Sequence, residues 1–331
     1  MGSSSPLLSI ILPNYNHAPY LPQRLQSIYH QTYPNVEVIL LDDHSTDHSL
    51  NLLEKYRKHP KTAHFIVNQQ NSGSTFIQWK KGIELAKGKY IWIAESDDWA
   101  ELDFLEKLVP VLEADEQIAL AYCQSKKVDE NGKVVNDMLY YTYEAKPNKW
   151  ESAYTNTGNQ EIEQHLVYKN TIPNASAVVF RNTAGIANWV NTEMTMVGDW
   201  WFWVHLIKDQ KIAFLPERLN YFRAHPASTR ADLRLPRQIE NTTEKLQLLR
   251  AIQHHFPHLE KTIQIVHQRM IAELFLASSI RDYPQVSNFV QRHFNSAPSF
   301  ATALVKAHWQ WVKNKWLGLR RSIYTLKYTS S

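Results

Sequence analysis

Tyr90-Ile-Trp-Ile-Ala-Glu-Ser-Asp-Asp98 decides the fold: a short apolar run stopped abruptly by acids. Four runs resemble it. Leu7-Leu-Ser-Ile-Ile-Leu12 ends at Pro13-Asn14, and Val36-Glu-Val-Ile-Leu-Leu41 ends at Asp42-Asp43. His64-Phe-Ile-Val67 and Ile118-Ala-Leu-Ala-Tyr-Cys123 complete the set. Short runs with little polar alternation suit strands covered on both faces, as in a parallel sheet. Between them, residues 20–29, 46–58, 75–86 and 102–113 carry helical spacing. The alternation predicts an α/β layer with right-handed crossovers.

The pattern changes after Cys123. Asp129-Glu-Asn-Gly-Lys133 is a turn signal between two short strands, and residues 136–160 show no period and read as a long loop. Residues 175–180 return to strand character, 199–208 read as a helix, and 211–215 as a strand ended by Pro216. From 231 the chain reads as helical, so a domain change is placed there. The expected division is a leader or cloning scar at 1–6, a catalytic domain at 7–230 and a helical extension at 231–331.

Composition narrows the class. A chain of 331 residues is long enough for two domains. Hydrophobic residues at 44% and charged residues at 21% exclude a mainly disordered chain. The apolar runs fall far short of the roughly 18–20 residues of a membrane span. A lone cysteine, Cys123, excludes an internal disulfide and suits a reducing, cytoplasmic compartment. No basic stretch precedes an apolar one at the N-terminus, so a signal peptide is not expected. The net charge is +4, yet residues 283–331 hold seven Lys/Arg and no acid, which leaves −3 for the rest. A weakly acidic body excludes a general nucleic-acid binder.

Ligands of open α/β sheets bind at the carboxyl ends of the strands. Here those ends carry Asp42-Asp43, Asp47 and Glu95-Ser96-Asp97-Asp98. Converging carboxylates repel unless a cation lies among them. An oxygen-loving divalent ion, Mg²⁺ or Mn²⁺, answers that need. The competing reading, helix capping, is preferred for Asp47.

The chain resembles a family-2 glycosyltransferase of the GT-A fold, of the bacterial surface-polysaccharide type. The ordered matches are Ser9-Ile-Ile-Leu-Pro-Asn-Tyr-Asn16, Val38-Ile-Leu-Leu-Asp-Asp-His-Ser-Thr-Asp47, Asn71-Ser-Gly73, Gly82-Ile-Glu-Leu-Ala-Lys-Gly-Lys-Tyr-Ile91, Glu95-Ser-Asp-Asp98, Gly198-Asp-Trp200 and Asn220-Tyr-Phe-Arg-Ala-His225. They cover about residues 7–230. The resemblance implies a mainly parallel, Rossmann-like sheet flanked by helices. Residues 7–125 would bind the nucleotide-sugar and 126–230 the acceptor. It implies an inverting, metal-dependent transferase that moves a sugar from a nucleotide-diphospho-sugar, a UDP-sugar by preference, to a glycan or lipid-linked glycan. Pro13 and Tyr15 would cradle the base, and Asp43 would accept a hydrogen bond from it. Glu95-Ser96-Asp97 falls at the family's DXD position, with Asp97 as metal ligand and Glu95 or Ser96 near the ribose. Glu95 departs from the family's usual Asp by one methylene. Asp98 would face the acceptor or hold its loop. Asp199 would be the general base, Trp200 an acceptor contact, Arg223 a diphosphate contact, and His225 a second metal ligand. Asn174, Tyr168 and Arg230 are weaker candidates.

Val305, Trp309, Val312, Trp316, Leu319, Ile323 and Leu326 form one helical stripe flanked by Lys306, Lys313, Arg320 and Lys327. This basic amphipathic tail, 303–328, fits either the inner face of an anionic membrane or docking on protein. A homo-oligomer remains open as a partner. A Rossmann dehydrogenase is excluded because no Gly-x-Gly-x-x-Gly follows the first strand. A catalytically degenerate glycan-binding or membrane-scaffold protein is the non-enzyme alternative.

Overall fold

A computed structural model describes residues 5–143, 145–146, 148–226, 234–278 and 282–294. The chain forms two compact units, Met1–Ser228 and Thr229–Ser331. The basic tail and Arg230 lie outside the described residues.

The first unit runs β1 (Leu8–Asn14), α1 (Leu21–Tyr29), β2 (Val36–Asp42), α2 (Ser49–Glu54), β3 (Thr62–Val67), α3 (Thr75–Leu85), β4 (Tyr90–Ile93), β5 (Trp99–Ala100), α4 (Phe104–Ala114), β6 (Ile118–Val128) and β7 (Val134–Asp137). It continues with α5 (Leu139–Tyr143), β8 (Tyr154–Thr157), α6 (Gly158–Glu161), β9 (Val178–Arg181), α7 (Gly198–Ile207) and β10 (Lys211–Arg223). The sheet order is β3-β2-β1-β4-β9-β6-β10-β5. β3, β2, β1 and β4 are parallel, as the apolar runs require. β9 enters antiparallel between β4 and β6, and β10 runs parallel to β6, so the sheet is mixed.

Every residue of β1 and β4 is buried, whereas the edge strand β3 is only half covered. One face packs Leu8, Ile10 and Leu12 against Leu21, Leu25 and Ile28 of α1 and Phe104, Leu105 and Leu108 of α4. On the other face α3 comes so close that a Cβ on Gly82 would lie 2.4 Å from Ile11. Trp79 of α3 packs edge-on to Phe202 of α7, and Phe180 of β9 closes the same aromatic layer. Burial of such large side chains supplies most of the drive for layering.

Two expectations fail here. Pro216 does not end its strand. β10 passes through it, with a register shift between Leu215 and Arg218 that takes up the missing N–H donor. Residues 136–160 are not one loop, since they contain α5 and β8, and β8 pairs with β10. Polar contacts hold this region together. Glu161, fully buried, takes bonds from Lys149 at 2.5 Å and Asn156 at 3.0 Å.

Among its described residues the second unit carries α8 (Leu235–His255), α9 (Glu260–Ala277) and α10 (Tyr283–Phe294). Leu246, Leu249 and Ile252 of α8 and Ile263, Ile271 and Leu274 of α9 are buried, so each presents an apolar stripe.

Candidate active site

Because β1, β2 and β4 are parallel and adjacent, their carboxyl ends share one edge. Two left-handed residues turn the chain there: Asn16 at φ 55° after β1, and His44 at φ 62° after β2. Asn16 Oδ1 accepts from the backbone N of Thr46 at 2.7 Å, which ties the two turns together. Asp47 accepts from the backbone N of Ser49, the first residue of α2, at 2.9 Å and of Ala18 at 2.9 Å, so it ties the start of α2 to the β1 turn.

The β1 turn delivers His17 to the residues that follow β4. His17 Nδ1 lies 2.7 Å from Ser96 Oγ. Asp97 Oδ2 lies 3.0 Å from His225 Nε2. The ligand atoms of His17, Asp97 and His225 all fall within 4.8 Å of one another. One carboxylate and two imidazoles in that space form a donor set that fits a divalent cation. Burial pushes the Asp97 carboxyl up, but the His225 bond and the two imidazoles outweigh it and hold it below the usual range. Burial lowers the His17 imidazole, which favours its neutral form.

Around this cluster the neighbouring acids are held by protein donors. Glu95 Oε1 accepts from Trp79 Nε1 at 2.7 Å. Burial, with Asp97 and Asp98 nearby, pushes its carboxyl up to about 8. Asp98 is buried, accepts from Asn174 Nδ2 at 3.0 Å and from the backbone N of Arg223 at 2.9 Å, and is pushed up to about 6, mainly by burial. These bonds make it the residue that holds the loop. Beneath them lies Arg24, fully buried on α1, with Nε 2.7 Å from the Glu95 carbonyl and its guanidinium 5.1 Å from the Trp92 ring centroid. It is the counter-charge for the acids, and burial lowers it to about 10.

Arg223 differs from its expected role on a diphosphate. Its Nε donates to the Asp97 carbonyl at 2.8 Å, Nη1 to the Glu130 carbonyl at 2.8 Å, and Nη2 to Gln23 at 2.8 Å. The guanidinium sits between the rings of Tyr20 and Trp99, 4.6 and 4.8 Å from their centroids. With its fork spent on carbonyls and its faces on rings, Arg223 is a clamp that fixes Asp97 and, two residues on, His225.

Asp43 is also committed. It accepts from Asn68 Nδ2 at 2.6 Å, Ser72 Oγ at 2.7 Å and Gln78 Nε2 at 2.9 Å. Those donors make it the anchor of the 68–74 loop and of the start of α3. Pro13 is buried in β1, while Tyr15 is 43% exposed and offers a ring face at the edge. Asp199 opens α7, where its Oδ1 accepts from the backbone N of Trp200 at 2.7 Å and its Oδ2 from Asn170 Nδ2 at 3.1 Å. A Cβ on Gly198 would meet the Phe76 ring at 2.6 Å, so glycine lets α7 begin against α3. Trp200 is buried, contrary to its expected place on the acceptor; half-buried Trp201 stacks on His205 instead.

His17 and Arg24 went unrecognised in the sequence. Arg24 had a legible signal, as a cation within the apolar stripe Leu21, Leu25 and Ile28. His17 had a fainter one, since it follows a strand end.

A layered α/β sheet of this order, with an acid–imidazole cluster at its strand ends, is the GT-A architecture of sugar transferases. Residues 9–176 match the model of Glycosyl transferase family 2, and the chain belongs to that family. EpsH of Bacillus subtilis, named as a glycosyltransferase, is 31% identical over 144 residues, 43% of this chain and 41% of that protein. The matched stretch thus spans about two fifths of the first curated relatives' own length. Staphylococcus aureus TarS 1-349, solved in complex with UDP-GlcNAc, superposes with a TM-score of 0.58 at 18% identity, covering 95% of this chain and 93% of TarS 1-349. The mannosyltransferase PcManGT of Pyrobaculum calidifontis, solved with GDP-Man and Mn²⁺, gives 0.56 at 16%, covering 96% of this chain and 84% of that one. At these identities the two structures show the fold.

Proposed function

We propose that this glycosyltransferase moves a sugar, with inversion, from a UDP-sugar to a hydroxyl of a surface glycan or lipid-linked glycan. The observation that carries the reading is the convergence of Asp97 and His225 at the strand ends where GT-A enzymes bind their donor. The TarS complex with UDP-GlcNAc and the PcManGT complex with Mn²⁺ support the donor and metal classes. Asp97 and His225 would hold Mn²⁺ or Mg²⁺, which when bound neutralises charge that develops on the departing diphosphate.

The chain's own groups do the rest. Tyr15 stacks on the base, Pro13 shapes the floor beneath it, and Asp43 holds the bordering loop. Glu95 lies at the ribose end of the donor, with Ser96 buried beside it. Asp199 accepts the proton from the acceptor hydroxyl as its oxygen bonds to the anomeric carbon and the bond to the diphosphate breaks. Trp201, half-buried, replaces Trp200 as the aromatic contact for the acceptor. The basic tail would rest on the inner face of the cytoplasmic membrane, where lipid-linked acceptors lie. Among the described residues no helix is long and apolar enough to cross a membrane.

The test is release of nucleoside diphosphate from a panel of UDP-sugars with extracted polysaccharide as acceptor. The wild type should turn over at least one donor, and Asp199→Asn should not. Equal turnover by both would remove Asp199 from the mechanism. Nucleotide binding without turnover of any donor would favour the degenerate glycan-binding alternative.

A further inference from the structure

We infer that His17 is a third protein ligand of the cation, which makes the site selective for transition metals over Mg²⁺. The inference rests on the metal reading given above and adds to it a residue and a selectivity.

Three observations carry it. His17 is delivered to Asp97 and His225 by a turn that polar bonds fix from both ends, at Asn16 and at Ala18. Its ligand atom lies within 4.8 Å of both of theirs. Its ring is held on several sides. Nδ1 meets Ser96 Oγ at 2.7 Å, the His225 ring lies edge-on with centroids 5.4 Å apart, and Tyr20 lies 5.8 Å away. In the tautomer where Nδ1–H donates to Ser96, Nε2 keeps a lone pair. Metal-binding imidazoles are oriented in this way by the partner of their other nitrogen. Ser96 is thus a positioning residue, which gives the middle residue of Glu95-Ser96-Asp97 a task.

The chemistry follows from the donor set. Mg²⁺ is a hard ion that prefers oxygen ligands and sheds water reluctantly. Imidazole favours borderline ions, and affinity at nitrogen-bearing sites rises from Mn²⁺ through Co²⁺ to Ni²⁺. A single carboxylate would discriminate weakly, while two added imidazoles tilt the site toward the transition series.

The experiment is calorimetric titration of Mg²⁺, Mn²⁺ and Co²⁺ into the full chain, stripped by chelator and free of nucleotide. It compares the wild type with His17→Ala, Ser96→Ala and Asp97→Ala, and adds the visible spectrum of bound Co²⁺ as a second readout. The wild type should bind Co²⁺ more tightly than Mn²⁺, and Mn²⁺ at least about tenfold more tightly than Mg²⁺. Ser96→Ala should weaken Co²⁺ by about tenfold, the lower end of losses for orienting partners, and His17→Ala by more, about 100-fold. Mg²⁺ affinity should change little in either, and the Co²⁺ band should shift in His17→Ala. Melting in chelator checks that each variant is folded, and Ser96→Ala carries the test alone if His17→Ala is not. Wild-type Co²⁺ affinity and spectrum in His17→Ala, or in Ser96→Ala when it stands alone, would overturn the inference. Should Asp97→Ala lose the metal in that case, the metal reading survives and only His17 leaves it. Should Asp97→Ala also bind as the wild type does, both fall.

Discussion

Glu95→Gln should flatten the pH dependence of stability between pH 6.5 and 8. The Glu95 carboxyl is pushed from 4.5 up to about 8 by burial and by Asp97 and Asp98. In that window the folded state keeps a proton that the unfolded chain has released. Stability contributed by a raised carboxyl is greatest at low pH and is lost as pH rises toward the folded value. At 1.36 kcal/mol per pKa unit, the loss between pH 6.5 and 8 amounts to at most about 1.7 kcal/mol, less for the part of Glu95 that touches solvent. For a unit of this size that is about 3–6 °C in melting temperature. Glutamine has nearly the same shape, and its amide oxygen still accepts from Trp79 Nε1, so packing is kept and titration removed. The assay is thermal melting at several pH values in chelator, wild type against variant, because the difference cancels every other titrating group. The lowered His17 and the Asp98 carboxyl near 6 act mostly below this window. Parallel curves for the two proteins would mean that Glu95 is ionised throughout and that its carboxyl is not raised.

Three further outcomes are expected. Asp199→Asn should lower turnover by about 10²–10⁴-fold, the usual worth of a general base, while UDP binding by calorimetry stays within about twofold. Arg223→Lys keeps the charge but loses the fork that reaches the Asp97 and Glu130 carbonyls; a urea midpoint should report a loss of about 2–4 kcal/mol. Gly158→Ala would put a Cβ 1.7 Å from the Ile207 carbonyl oxygen, a backbone clash costing about 3 kcal/mol or more, visible as a lowered melting temperature or lost soluble yield.

How much the sequence disclosed depended on what holds each part. β1, β2 and β4 were legible because both their faces are buried, which writes apolar runs into the chain. β8 was not, because Tyr154-Thr-Asn-Thr157 alternates between half-buried and exposed and is held through Glu161, Lys149 and Asn156. Pro216 misled because a single residue does not reveal the bulge that accommodates it. At the site, Asp97 was legible as an acid at a strand end and His225 only through the family resemblance, and the structure brings them to 3.0 Å. Arg223 was recognised as important, but its bonds to carbonyls 93 and 126 positions away are not readable from the sequence. Trp200 illustrates the same limit: neighbouring tryptophans look alike in sequence, and only packing says which one is buried.

The proposed reading places a cation-dependent nucleotide-sugar site at Asp97. Its most direct test is thermal shift with UDP, dTDP, GDP and CDP, each with and without Mn²⁺, on the wild type and Asp97→Ala. A ligand at 100 times its dissociation constant adds about 2.7 kcal/mol to the folded state, or about 5–10 °C here. The wild type should show that shift with UDP and Mn²⁺ together and a smaller one with UDP alone, and Asp97→Ala should show only the smaller one, with or without Mn²⁺. Equal UDP shifts in both proteins with and without Mn²⁺, or no shift with any nucleotide, would contradict it.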